Sequence, residues 1–218
     1  MIKAFLPLLK VICLCGFIFQ VTSITAQHAT AVDIFKRENF KFEEGYYYDQ
    51  SGNKIEGWIK HEYFPHNVSE HPDNFILFRE TKRGKDVEKR TADVSSFVVH
   101  SDSFIVVKNF KFHNWLKYRE DFCKVNRVGN KVSLYEHYTL RTKYDDHGGQ
   151  VAIETGYVMK IEGMNKLHCV HPGYFKRDMT SLFHLDKDLC EKINSEIYQL
   201  ADIERIVDDF NQWWVDNH

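Results

Sequence analysis

Residues 46–60 read Tyr46-Tyr47-Tyr48-Asp49-Gln50-Ser51-Gly52-Asn53-Lys54-Ile55-Glu56-Gly57-Trp58-Ile59-Lys60. Two arms rich in aromatic and β-branched residues flank a cluster of Asp, Gln, Ser, Gly and Asn. Residues of that kind hydrogen-bond their own main chain or tolerate turn geometry, so the cluster closes a hairpin. In the second arm Ile55, Gly57 and Ile59 point one way, and Glu56, Trp58 and Lys60 the other.

The same grammar repeats downstream. Residues 61–73 read as a loop carrying Pro65 and Pro72, and Phe75-Ile76-Leu77-Phe78 is a short apolar run with both faces covered. Lys82-Arg83-Gly84-Lys85-Asp86 turns the chain into Val87–Thr91. Ser101-Asp102-Ser103 separates Phe97–Val99 from Phe104–Val107. Val128-Gly129-Asn130 separates Phe122–Arg127 from Lys131–Leu140. Gly163-Met164-Asn165 separates Gly156–Glu162 from Lys166–His171, and Asp145–Gly149 is a loop tip. After His171-Pro172-Gly173 the period becomes helical. Met179, Leu182 and Phe183 suggest a short helix. Leu189, Ile193 and Ile197 recur every four residues behind Asp186, a plausible N-cap. Asp202 is placed to cap a last helix with Ile203, Ile206, Val207, Phe210 and Trp213 or Trp214 on one stripe. The predicted class is α+β: an antiparallel β-meander, barrel-like or sandwich, followed by two to three C-terminal helices. The body spans residues 27–172, with 27–42 a loose lead-in, and the helical segment 173–218 packs on it.

The first 26 residues speak about address. Lys3 gives a positive start, an apolar run extends from Ala4 to Val21, and Thr22-Ser23-Ile24-Thr25-Ala26 follows. Ala26 suits the −1 position of a cleavage site, so residues 1–26 read as a secretory signal peptide and the mature chain starts at Gln27. The expected destination is the periplasm or the extracellular space. Cys13 and Cys15 have no lipobox.

The full chain carries 29 basic and 31 acidic residues. Lys3 and Lys10 lie in the leader, which leaves 27 against 31 and a net charge of −4. No basic block remains to track a phosphate backbone, which argues against nucleic acid. No mature stretch is long and apolar enough for a transmembrane helix. Aromatic residues make up 15% of the chain, which favours strands. Cys123, Cys169 and Cys190 remain after cleavage, an odd number that leaves at least one thiol unpaired. They read as buried small hydrophobes, with one disulfide as the alternative.

Four segments carry a resemblance: Tyr48–Ile59; Thr91-Ala92-Asp93-Val94 with Phe97; Gly129 with Leu134-Tyr135-Glu136; and Asp202-Ile203-Glu204, Ile206-Val207 and Phe210-Asn211. Together they resemble an uncharacterised family of exported, signal-peptide-bearing Bacteroidota proteins with a β-rich body and a helical C-terminus. The resemblance implies fold and export, and transfers no catalytic residue.

Two clusters invite a chemical reading. His61-Glu62-Tyr63-Phe64-Pro65-His66 approaches a zinc-protease helix, but its histidines are five apart, about 140° around a helix, and Pro65 would break it. His61, His66 and His71, with Glu62, Glu70 and Asp73, still make a ligand-rich loop that suits zinc or copper. A solvated polar loop is the stronger reading, because a spacing of five fixes no coordination geometry. In His168-Cys169-Val170-His171, read as a strand, Cys169 and His171 share a face. Such a pair can serve a nucleophile or a metal. Its neighbours Leu167 and Val170 instead favour burial and a structural role. Asp145–Gly149 lacks calcium-loop spacing. GxSxG, P-loop and GxGxxG motifs are absent. Asn67-Val68-Ser69 matches a glycosylation sequon. Tyr46–Tyr48, Trp58, Trp213 and Trp214 suit carbohydrate or protein contacts, but residues of this kind more often complete a core or a helix–sheet seam.

The leading expectation is therefore a non-enzymatic exported domain that binds a protein or envelope component, with no cofactor, catalytic residue or metal assigned. A hydrolase with an unrecognised site and a metal-binding periplasmic protein are the alternatives.

Overall fold

A computed structural model describes residues 41–61, 75–112, 117–145 and 148–218. The leader, most of the lead-in and the loop after His61 lie outside the described residues. Asp49 closes the first hairpin with its side chain: Oδ1 accepts from the backbone N–H groups of Ser51 and Asn53, each at 2.8 Å. That turn sets the register of β1 (Glu43–Asp49) on β2 (Lys54–His61), with Tyr48 opposite Lys54 and Tyr46 opposite Glu56. The chain continues through β3 (Phe75–Arg79), β4 (Val87–Arg90), β5 (Val94–Val99), β6 (Asp102–Lys111), β7 (Lys117–Arg127), β8 (Val132–Asp145), β9 (Gly148–Ile161) and β10 (His168–Val170). Three helices follow: α1 (Phe175–Leu182), α2 (Lys187–Asn194) and α3 (Ile203–Asn217). The described fold is α+β, sheet first and helices last.

All ten strands form one antiparallel sheet in the order β10-β9-β8-β7-β6-β5-β1-β2-β3-β4. A plain meander would place β5 beside β4; here β5 returns to the free edge of β1. Four interstrand spacings, about 19 Å in a flat sheet, separate β4 from β5. The link from Arg90 to Val94 spans at most about 14 Å. The sheet must therefore curl, although it does not close. Two hydrogen bonds hold the curl at Thr91. Its carbonyl accepts from Gln50 Nε2 at 3.0 Å, and its hydroxyl donates to Glu120 on β7 at 2.8 Å.

Strand alternation assigns the cores. Phe122 and Cys123 are neighbours on β7, point to opposite faces and are both buried. Phe122 joins Tyr47, Ile59, Ile76, Phe97 and Phe104 inside the curl of β1–β7, where the Phe97 and Phe104 rings stack at 4.5 Å. Cys123 joins Val107, Phe110, Tyr135 and Val158 on the opposite face of β6–β9. On the Phe122 side of β8–β10, Val132, Leu134, Met159, Ile161 and Val170 receive the helices.

The helix stripe docks where the spacing places it: Ile203, Ile206, Val207 and Phe210 are buried, and Trp213 and Trp214 pack beside them. These tryptophans belong to the helix–sheet seam. Asp186 caps α2, accepting from Leu189 N–H at 3.0 Å. Two details differ from the sequence expectation. The α2 helix ends at Asn194, and left-handed Glu196 (φ 64°) redirects the chain, so Ile197 is exposed instead of continuing the stripe. Asp202 makes no side-chain cap to α3; its carboxylate accepts from Gln199 N–H at 2.9 Å.

Asn211 locks α3 to the sheet. Its Oδ1 accepts from Lys131 N–H (3.0 Å) and Val132 N–H (2.8 Å), and its Nδ2 donates to Val132 O at 2.9 Å. Gly129 makes room for this clamp: a Cβ there would fall 2.0 Å from Asn211 Nδ2. Asn211→Ala removes three main-chain contacts. It should lower stability by about 1–3 kcal/mol, read as a shift of the urea midpoint at unchanged slope.

Candidate functional site

The residues singled out in the sequence are dispersed. His61 ends β2, and its ring packs edge-on against Phe97 (5.1 Å) and Phe104 (5.0 Å) in the first core. Burial, reinforced by His137, pushes its pKa down to about 3. His66 and His71 lie outside the described residues. On β10, Cys169 faces the Cys123 core, and His168 lies on the other face of the strand. His171 lies past the end of β10, and its Nδ1 accepts from Gly173 N–H at 3.0 Å, capping the turn Pro172–Tyr174. Cys123, Cys169 and Cys190 are free thiols. Among the described residues no three His, Cys, Asp or Glu side chains converge as metal ligands.

The low pKa of His61 has a consequence. An imidazole that ionises near pH 6.5 unfolded but near 3 folded takes up its proton preferentially in the unfolded chain. Its contribution to stability is complete above pH 6.5 and is lost as pH falls through that window. At pH 5 the loss should be about 2 kcal/mol. Urea titrations of wild type and His61→Phe between pH 7 and pH 4.5 should show a shallower pH slope in the variant.

The structure brings together a pair that motif reading passed over. Asp121 on β7 and His137 on β8 are both buried, with His137 Nε2 2.6 Å from Asp121 Oδ2. Asp121 Oδ1 accepts from Phe122 N–H at 2.6 Å. Aromatic rings box the imidazole: Tyr118 at 4.5 Å, Phe110 at 5.1 Å and Phe112 stacked at 5.4 Å. Gly156 stands opposite His137 on β9, and a Cβ there would fall 2.4 Å from the Phe112 ring. The pair resembles the carboxylate–imidazole unit that orients a catalytic base. A general base must nonetheless reach the proton that it removes, and His137 is only 1% exposed.

An open concavity among the described residues lies elsewhere, at a seam in the sheet. Pairing of β6 with β5 stops at Ile105, while pairing with β7 runs on to Lys111. The far half of β6 thus passes its neighbour. From the other end of the sheet β10 approaches it, with Cys169 packed against the core that holds Phe110. Between Asn109–Lys111, Lys166–Val170 and α1 a cleft of ≈ 480 Å³ remains. Its apolar wall comes from Phe110, Leu167, Val170 and Leu182, and its cations are Lys111, Lys166 and Arg177. Asp178 is the one carboxylate on the lining, and its Oδ1 already accepts from Arg177 Nε and Nη2 at 3.0 and 2.9 Å. The Arg177 guanidinium lies over the Tyr174 ring at 4.4 Å. Burial, and then Lys166, lowers the pKa of His168.

Burial also governs the thiols. It pushes Cys169 up to about 11 against the opposing pull of the Lys111 main chain and Lys166. It holds Cys123 well above the ordinary thiol range, helped by Asp121.

No helix among the described residues is long and apolar enough to cross a membrane. Comparison with known proteins finds no matching family model, no matching curated protein and no matching solved structure.

Proposed function

We propose that this protein is a non-enzymatic exported binding domain that holds an envelope component in the cleft between β6, β10 and α1. One contrast carries the reading. The groups best suited to chemistry, namely Cys123, Cys169, His61 and the Asp121–His137 pair, face packed cores or have pKa values that quiet them. The cleft between β6, β10 and α1 is walled by cations and apolar side chains, and the two reactive groups on its lining are quieted: burial raises the Cys169 thiol to about 11 and lowers the pKa of His168. Burial raises a thiol pKa and suppresses the thiolate nucleophile. Concave, partly apolar surfaces with a few convergent polar groups suit ligand binding. Export rests on the leader pattern of residues 1–26 and on the resemblance to exported Bacteroidota proteins.

A hydrolase has one observation in its favour, the Asp121–His137 pair. Its burial weighs against it, because His137 is 1% exposed and a general base must reach the proton that it removes.

The test uses the full chain, expressed with its leader and recovered under native conditions. Mass spectrometry should find Gln27 as the N-terminus. Organic extraction should release a bound compound that rebinds chemically unaltered. Ser181→Trp, which fills the cleft from α1, should abolish rebinding. Intact Met1 on cell-associated protein would overturn export. Conversion of the compound to a product would overturn the non-enzymatic reading. Undiminished binding to the tryptophan variant would overturn the site.

A further inference from the structure

We infer that the cleft takes a small amphipathic anion: one negatively charged head attached to a short apolar body. The inference rests on the binding reading above and names its ligand class. Three observations converge. First, three cations from three separate elements, Lys111 on β6, Lys166 before β10 and Arg177 on α1, line one concavity. The single lining carboxylate, Asp178, is already held by Arg177, so it does not cancel the other two charges. On a mature chain with a net charge of −4, a local excess of positive charge attracts an anion against the general field.

Second, the remaining wall is apolar and belongs to the packed cores. Phe110 and Val170 are buried residues whose edges form the cleft surface, with Leu167 and Leu182 beside them. A fully hydrated anion such as phosphate would leave this surface wet. An attached apolar chain would cover it and add about 25 cal/mol for each Å² removed from water. Third, ≈ 480 Å³ is the size of a small-molecule pocket. The Arg177 guanidinium, stacked on Tyr174 and bonded to Asp178, is already oriented, which lowers the cost of ordering it on binding.

The probe is decanoate, with decanol and decylammonium as matched controls, titrated calorimetrically into the mature chain. Decanoate should bind saturably at one site. Decanol should bind more weakly, and decylammonium should not bind. Replacing Lys111, Lys166 and Arg177 together by Gln should weaken decanoate by on the order of tenfold, the sum of two partly screened lysine charge contacts and the loss of the oriented Arg177 donors. That variant should leave decanol unchanged, because the apolar wall is intact. Ser181→Trp should remove both. Decylammonium binding as well as decanoate, or decanoate indifferent to the triple substitution, would overturn the inference. If decanoate fails to bind while the natively extracted compound still binds and is blocked by Ser181→Trp, the anionic class falls and the binding reading stands. If neither binds, both fall.

Discussion

Asp121→Ala should lower the unfolding free energy by about 3–5 kcal/mol, the penalty for removing one partner of a buried polar pair. The carboxylate satisfies two donors at once, the Phe122 main chain and His137 Nε2. Its loss leaves an imidazole that is 1% exposed, boxed by Phe110, Phe112 and Tyr118, without its carboxylate partner. The double variant Asp121→Leu/His137→Phe removes both polar groups and should recover much of the loss, because matched apolar replacement of a buried pair is often neutral. Urea midpoints of the single and double variants measure this directly. Stability alone does not separate the two roles: a catalytic pair would show itself by a turnover in the wild type that the double variant has lost.

Phe210→Ala should cost about 3–5 kcal/mol, the usual penalty for truncating a buried aromatic side chain. Phe210 is 3% exposed and packs on Phe183 at 4.5 Å and on Trp213 at 5.6 Å. The cluster that it joins includes Leu134 and Met159 from the sheet, so the cavity would open between sheet and helices. The urea midpoint should fall, and α3 amides should lose hydrogen-exchange protection before those of β1–β3. A midpoint equal to wild type would mean that α3 is not part of the core.

Local chemistry made much of the fold legible. The Asp49–Asn53 turn, the 3.6-residue stripe of α3 and the Asp186 cap follow from residue types a few positions apart. The return of β5 to β1 was not legible, since Arg90-Thr91-Ala92-Asp93-Val94 looks like any short connection. The pairing of β5 with β1, from Gly45 opposite Val99 to Asp49 opposite Val94, shows that the chain leaves the meander there. The Ile197 misreading has a similar origin: a periodic pattern does not announce that Glu196 adopts a left-handed conformation.

The chemical groups were less legible still. His168, Cys169 and His171 are conspicuous as neighbours in sequence, and strand alternation and a capping turn then separate them. Asp121 and His137 are 16 residues apart, and neither belongs to a motif. The usable signal was positional: His137 alternates with Tyr135 on a strand facing a core, where a polar side chain needs a partner. The cleft had no sequence signal, because it arises where β5 ends early and β10 arrives from the far side of the sheet.

On the function proposed above, the fold sequesters its reactive groups and binds through the seam beside them. Cys169 tests it most directly, since its thiol faces the core and lines the cleft. Peptide-resolved iodoacetamide labelling of the folded chain across pH should show slow alkylation of Cys169 with a midpoint near 11. Labelling should become fast after unfolding and slow further when decanoate occupies the cleft. Rapid labelling of the folded protein, with a midpoint well below the ordinary thiol value of about 8.5, would contradict the account and make Cys169 a nucleophile.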